Sequence, residues 1–157
     1  MEIILACDAE GGVAKQGVMP WPHLAEDMRH FKAMTNGHCV IMGSNTWNDK
    51  CTPVPLPNRL NVVVSTKEIT GADVVISGDL PTAIADLDVG PMKKFVIGGA
   101  DIVQQVLVKA KVIHITEIQG VYDCDTFVPK HFEPFGFKRI ETKTLAADAN
   151  YTRWERR

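Results

Sequence analysis

Four short runs constrain this chain more than any other feature: Val40-Ile41-Met42, Asn61-Val62-Val63-Val64, Asp73-Val74-Val75-Ile76 and Phe95-Val96-Ile97. They are continuously apolar rather than alternating, the pattern of a strand covered on both faces. Further strand-like segments bring the set to residues 3–7, 39–42, 60–65, 72–77, 94–97, 111–117, 137–143 and 151–156. Helical patterns lie between them at 24–35, 44–48, 80–87 and 101–110. In the last of these, Ile102, Val103, Val106, Leu107 and Ala110 share one face. Ser44 or Asn45 is the expected cap of the second, and Pro81 suits the first turn of the third. Strands alternating with helices require crossovers and a mostly parallel sheet. No helix separates the last two strands, which predicts an antiparallel hairpin at an edge. The expected fold is a three-layer α/β domain with a mostly parallel eight-stranded sheet and about four helices.

The chain has 157 residues, enough for a single domain with a substantial core. Its 45% hydrophobic and 23% charged residues are an ordinary globular balance. A net charge of −2 offers no attraction to nucleic acid or anionic membrane. There is neither a basic stripe nor interleaved aromatics, and Arg156-Arg157 reads as a solvated end. No apolar run approaches the ~20 residues of a membrane helix. The start, Met1 to Gly12, is too short and too acidic for a signal peptide. Cys7, Cys39, Cys51 and Cys124 form no Cys-x-x-Cys pair and fit no zinc spacing, so they read as structural thiols and no metal is expected. Reduced thiols without a leader predict a cytoplasmic protein.

Several groups of residues carry possible chemistry. On a helix turning ~100° per residue, Leu24, Met28, Phe31, Met34 and Thr35 form one stripe, and Asp27 falls inside it. Glu26, Arg29, His30 and Ala33 fall on the other side, with Lys32 at the border. A carboxylate in an apolar stripe is costly unless paired. Asp27 is therefore either an ion-pairing or capping residue of the fold, or a ligand-binding acid able to grip an amidine-like edge through two parallel N–H bonds. Gly98-Gly99-Ala100-Asp101 follows a buried strand and opens a helix, which describes a phosphate-binding turn or a plain tight turn. Gly43-Ser44-Asn45-Thr46 repeats that arrangement, and Ser65-Thr66-Lys67 adds hydroxyls and a cation after a third strand. Met19-Pro20-Trp21-Pro22 lies in a segment with glycines at 11, 12 and 17, and reads as a closing lid or as a hydrophobic plug.

Taken in order, these residues resemble the dihydrofolate reductase family. The matches are Met19-Pro20-Trp21, Leu24-x-x-Asp27-x-x-x-Phe31-Lys32 and Val40-Ile41-Met42-Gly43-x-x-Thr46-Trp47. Pro55, Arg59, Ser65, Val96-Ile97-Gly98-Gly99, Thr116 and Asp125-Thr126 before Pro129 continue the series along nearly the whole chain. The resemblance implies NADPH-dependent reduction of 7,8-dihydrofolate by a monomer. It implies that Asp27 binds and activates the pteridine, with Thr116 beside it, and that the loop of Met19 and Trp21 gates the water that protonates the ring. Ile4, Ala6, Met28, Phe31, Leu56 and Ile97 would line the folate site, while Arg59, assisted by Lys32, would clamp the glutamate tail. The implied cofactor contacts are Ala6, Val13, Ala14, Met19, Gly43, Ser44, Asn45, Thr46, Ser65, Thr66, Lys67, Ile97, Gly98, Gly99, Ala100, Asp101 and Ile102. A cis Gly98–Gly99 bond is implied as well.

The chain departs from that pattern at Ser44 and Asp101, where basic residues are common, and at Ala14 and Ala100, where glycine is. Val103 stands where a tyrosine is frequent. Lys67 is then the cation left to meet a 2′-phosphate. Two rival readings are weighed. A reductase of riboflavin biosynthesis would lack the Asp27 helix and the Arg59 clamp. A non-catalytic nucleotide- or folate-binding protein of the same fold would have no physical need for Asp27, Trp21, Phe31, Arg59 and Thr116 together.

Overall fold

A strand that is apolar along its whole length needs a covering layer on each side, and the chain supplies both. The computed structural model describes residues 1–49 and 53–157. Cys51 lies outside the described residues. In chain order the elements are β1 (Glu2–Cys7), β2 (Gly12–Ala14), α1 (Ala25–Thr35), β3 (Cys39–Gly43), α2 (Ser44–Trp47), β4 (Leu60–Val64) and β5 (Val74–Ile76). There follow α3 (Leu80–Asp86), β6 (Lys94–Gly98), α4 (Ala100–Val106), β7 (Val112–Ile118), β8 (Thr126–Phe127), β9 (Phe137–Ala146) and β10 (Ala149–Arg156). A single 3-10 turn, Glu133–Phe135, precedes β9.

Eight strands form one sheet in the order β5-β4-β3-β6-β1-β7-β10-β9. The first six are mutually parallel, and β10 and β9 run antiparallel at one edge, as the absence of a helix between them predicts. Alternation gives the sheet two faces. One carries Ile3, Ile41, Val62, Val96, Ile113 and Ile115, and Leu80 and Ile84 of α3 with Ile102, Val103 and Val106 of α4 close over it as the main core. The other carries Ile4, Ala6, Val40, Met42, Val63 and Thr116, and α1 is the helix that lies against it through Phe31.

Local chemistry explains most element ends. Asp79 caps α3 by accepting from the Thr82 N–H at 3.2 Å and the Thr82 hydroxyl at 2.6 Å. Helix α2 is capped differently from the expectation. Its N-cap is Gly43, with no side-chain hydrogen bond from Ser44 or Asn45, because β3 runs straight into the helix. Helix α4 stops at Val106 instead of reaching residue 110. Beyond it Arg156 takes over the carbonyls, its Nη2 donating to Leu107 and its Nε to Ala110, each at 2.8 Å. The same guanidinium lies 4.3 Å from the Phe137 ring centroid. Arg156 is therefore a clamp between β10 and the end of α4, not part of a solvated end.

The small antiparallel pair β2–β8 is absent from the sequence reading, since strands of two and three residues show no periodicity. It holds the loop that contains Met19. Gln16 N–H donates to Asp125 Oδ2 at 2.8 Å, and Asp125 N–H donates to the Ala14 carbonyl at 3.0 Å. Asp8, at the end of β1, anchors the same region from inside. Its Oδ1 accepts the N–H groups of Glu10 and Gly12, each at 2.9 Å, and its Oδ2 accepts the Tyr122 N–H at 3.1 Å. Burial of this carboxyl works against its charge, but these backbone donors outweigh it and hold the group below its ordinary range. A carboxylate lowered in the fold stabilises above its unfolded value and loses that contribution as pH falls through the lower folded value. Asp8→Asn should therefore cost about 2 kcal/mol of unfolding free energy near neutral pH, with the difference from the parent protein shrinking below about pH 4. Urea titrations at several pH values measure this directly.

Candidate active site

The cleft lies where α1 stops covering its face of the sheet. Helix α1 presents Asp27 toward β7, and Thr116 there is 3% exposed. The Thr116 side chain lies close enough to the Asp27 carboxyl to favour its charged form. Burial pushes this carboxyl above its ordinary value, and Thr116 and the nearby His30 offset only part of the rise. Leu24 is the N-cap residue of α1 and its side chain makes no capping bond, so Asp27 sits inside the helix and not at its cap. Among the described residues no Lys or Arg forms a salt bridge with it. The capping and ion-pairing readings of Asp27 therefore fall away, and what remains is a half-buried acid facing a cleft.

Strand register fixes its surroundings. Ala6 pairs with Thr116, and Ile4 lies two residues back on the same face. On the adjoining strands, Ile97 packs with Val40, Met42 and Leu56, and Phe31 joins the same cluster from the helix. Met28 is 40% exposed although it belongs to the apolar stripe, because the stripe there faces the open cleft instead of the core. Trp21 is buried against Ala6, edge-on to Tyr122 at 5.9 Å, while Met19 stays exposed at the loop tip. Trp21 thus fits the plug reading of this segment, while Met19 is exposed beyond it.

Arg59 marks the far end of the cleft. Its guanidinium lies 5.8 Å from the Phe31 ring centroid, and its buried Nε has no hydrogen-bond partner. Burial lowers the pKa of this side chain from its usual value, so charge is held there at a cost. An unpartnered guanidinium N–H fits a ligand carboxylate. Lys32 is exposed one residue beyond Phe31. Asn61, which sequence reasoning missed, positions this end. Its Nδ2 donates to the carbonyls of Leu56 and Arg59, both at 3.0 Å, and its Oδ1 accepts the Leu56 N–H at 2.9 Å. An asparagine inside an apolar strand run was the available signal, since a buried amide needs partners.

The third wall is main chain. Strands β3 and β6 end side by side, Met42 pairing with Gly98 across a register shift. Gly98 has φ +131°, and its bond to Gly99 is cis. A side chain at Gly43 would meet Ile102 Cγ1 at 3.1 Å. The space over Gly98 and Gly99 is open by contrast, with Thr46 Oγ1 the nearest atom at 3.7 and 3.9 Å from the positions a Cβ would occupy. Neither α2 nor α4 has a side-chain cap, so their first-turn N–H groups remain available as donors. Ser65 Oγ accepts the Lys67 N–H at 3.0 Å, turning Thr66 and Lys67 outward beyond β4. Val13 and Ala14 lie on β2, Ser44 and Asn45 open α2, and Ala100 and Asp101 open α4.

A family model described as dihydrofolate reductase matches residues 1–155. The chain belongs to the dihydrofolate reductase family. Dihydrofolate reductase of Bacillus subtilis (strain 168) is 33% identical over 151 residues, covering 94% of this chain and 86% of that one. The bifunctional dihydrofolate reductase-thymidylate synthase of Zea mays is 35% identical over 149 residues, covering 82% of this chain. This chain spans about a third of the length of such bifunctional relatives. Among solved structures, dihydrofolate reductase from Enterococcus faecalis, complexed with NADP(H) and RAB-propyl, superposes with a TM-score of 0.80 at 24% identity, covering 99% of this chain and 96% of that one. It shows that the fold is shared.

Within this dihydrofolate reductase cleft, Asn61 gives a direct check. Asn61→Ala removes three hydrogen bonds and frees the segment bearing Leu56 and Arg59. It should lower stability by about 2–3 kcal/mol and weaken binding of a carboxylate-bearing ligand at Arg59 roughly tenfold. Urea unfolding and tryptophan-quenching titration report the two effects separately.

Proposed function

We propose that this chain catalyses the NADPH-dependent reduction of 7,8-dihydrofolate to 5,6,7,8-tetrahydrofolate. The observation that carries the reading is Asp27: a half-buried carboxyl beside Thr116, with no Lys or Arg paired to it among the described residues, in a chain of this family. A carboxylate in that position accepts two parallel N–H bonds from the amino edge of a pteridine. Ile4, Ala6, Met28, Phe31, Leu56 and Ile97 supply apolar contact to the rings, and Arg59, with Lys32 nearby, takes the glutamate carboxylate. The two ends of the substrate are thereby held about the reacting ring, and orientation supplies much of the catalysis.

The residues present fit a dinucleotide. The open backbone at Gly98 and Gly99 and the uncapped starts of α2 and α4 offer N–H donors to phosphates. Gly43, Ser44, Asn45, Thr46, Ala100, Asp101 and Ile102 would hold the pyrophosphate side. Ser65, Thr66 and Lys67 would hold the 2′-phosphate, and Ala6, Val13, Ala14, Met19 and Ile97 the nicotinamide side. When bound there, NADPH supplies the hydride. Asp27 raises the basicity of the pteridine it grips, and the Met19 loop admits the water that delivers the proton. Trp21 and Thr116 keep Asp27 and that water in place. The free thiols of Cys7 and Cys39, pushed up to about 12 and about 11 by burial, suit a reducing compartment, and we place the protein in the cytoplasm as a monomer. Among the described residues no helix is long and apolar enough to cross a membrane.

Loss of nicotinamide absorbance that requires both NADPH and dihydrofolate tests the reading. No loss, with both ligands still bound, would leave a binding protein. Asp27→Asn should lower turnover at neutral pH by about 10²–10⁴ and recover part of it at low pH, where dihydrofolate arrives protonated. Turnover near that of the parent would refute the role of Asp27. Lys67→Ala should reduce the NADPH-over-NADH preference about tenfold, the worth of one charged hydrogen bond. An unchanged ratio would remove Lys67 from the 2′-phosphate site.

A further inference from the structure

The helical wheel of α1 puts His30 with Glu26 and Arg29 on the solvent side, but the structure does not. The imidazole is half-buried, tilted against the Tyr151 ring of β10 at 4.4 Å between centroids, and its Nε2 is buried without a hydrogen-bond partner. Tyr151 pairs in register with Thr116, whose side chain favours the charged form of Asp27. Asp27 and His30 are three residues apart on one helix, and so are neighbours on its surface. Together they lie over the cross-strand row Thr116–Tyr151. Asp27 meets it on the cleft side, and His30 on the side of a separate polar groove of about 460 Å³.

That groove is built of charge. His114, 4% exposed, lies on its floor. Its Nδ1 is 2.7 Å from the Tyr151 hydroxyl and its Nε2 is 2.7 Å from Glu2 Oε1. Strand β9 adds Glu141 and Lys143, and β10 adds Arg153 and Glu155. Lys93, before β6, reaches Glu2 at 3.8 Å. Arg153 Nε is also buried and unpartnered. Of these groups, Asp27 and Glu141 favour a charged His30, while His114 and Lys143 oppose one. Burial opposes it most, so the imidazole titrates below its ordinary range.

We propose that His30 is a positioning residue for the reaction, setting from this second groove the charge that Asp27 carries as dihydrofolate binds. The proposal rests on the reading of Asp27 given above. Its physics is a coupled pair. Burial raises the carboxyl and lowers the imidazole, bringing the two titrations toward each other, so the charge on each bears on the range in which the other titrates. Above that range His30 is neutral and leaves Asp27 a weakly stabilised anion. Within it, a proton on His30 favours the anion and a proton on Asp27 disfavours the cation.

Charge variants at position 30 test this, with two measurements on each. The Asp27 carboxyl midpoint is followed by the ¹³C carboxyl signal of the free protein, and kcat/KM for dihydrofolate with NADPH is followed across pH. A permanent cation, His30→Arg, should move the carboxyl midpoint down by about one unit, and an added anion, His30→Glu, should move it up by about as much. His30→Gln, which keeps a polar side chain of similar size, should lie between them. The kcat/KM profile should shift with the carboxyl. Coincident carboxyl midpoints in the three variants, or kcat/KM lowered equally at every pH, would overturn the proposal and leave His30 a packing residue. Asp27→Asn separates the two readings. If it kept the parent's turnover, the role of Asp27 would fall, while the carboxyl midpoints of the position-30 variants would still show whether His30 governs that group.

Discussion

Unequal cover on the two faces of a parallel sheet governs the rest of this molecule. Six parallel strands bury apolar side chains on both faces and so demand a layer on each. Helices α3 and α4 close one face completely, with Val103, Val106 and Ile84 almost inaccessible. On the other face α1 lies over part of the surface, and its 11 residues cannot span eight strands. The row from Ala6 and Thr116 across Ile97 to Leu56, which Trp21 and Phe31 cover in place of a second helix, lies beside the carboxyl ends of β1, β3 and β6. Ligands of open α/β sheets bind in such places because strand ends and helix starts converge there. The active site is therefore a consequence of the layer count before any side chain is chosen.

The side chains chosen then make the strip chemically polar at both ends. Asp27 and Arg59 are each partly desolvated, and each is left with unused hydrogen-bonding capacity toward the cleft. Burying a charge without a full partner costs stability, and the protein carries that cost twice. A ligand with an N–H-rich heterocycle at one end and a carboxylate at the other offsets both terms at once. Phe31 stands between them, under the Arg59 guanidinium, so the middle of that ligand must be flat or apolar. Affinity and orientation thus come from the same two groups, and a ligand lacking either end leaves a buried charge unmatched.

Much of this was legible in the sequence because it depends on pattern. Continuous apolar runs gave the eight strands, and the misfit of Asp27 on an apolar helix stripe singled out the acid. What was not legible depends on contacts across the fold. The β2–β8 pair is too short to have a period, yet it anchors the Met19 loop. Asn61 could be seen as polar within an apolar run, but nothing in the sequence says that its amide holds Leu56 and Arg59. His30 looks solvent-facing on a wheel drawn for an isolated helix. Tyr151 of β10 turns it into an interior residue, because the antiparallel hairpin places a ring against it. Arg156 has the same history: a terminal arginine by position, a carbonyl clamp by geometry. For the β2–β8 pair and for His30 the deciding partner is more than a hundred positions away, for Arg156 it is nearly fifty, and for Asn61 it is a neighbouring loop whose path the sequence pattern does not give.

The departures at Ser44 and Asp101 are best understood through the distinction between charge and backbone. A phosphate site at paired strand–helix junctions draws on main-chain N–H groups, on dipoles and on side-chain cations. Replacing basic side chains removes only the last of these. Gly98 and Gly99 leave open space beside the backbone, and the uncapped starts of α2 and α4 keep their donors. Asp101 adds a negative charge in the first turn of α4, which the helix dipole tolerates and a phosphate does not. On the proposed reading, a pyrophosphate gripped mainly by backbone would be little affected in position though weakened in attraction. The 2′-phosphate has no such main-chain cradle beyond β4, where Ser65 is already engaged with the Lys67 N–H. On the proposed reading, discrimination between the two nicotinamide dinucleotides would rest on Lys67 as a single exposed cation, where screening by salt would make it weaker and more dependent on ionic strength than a two-cation clamp.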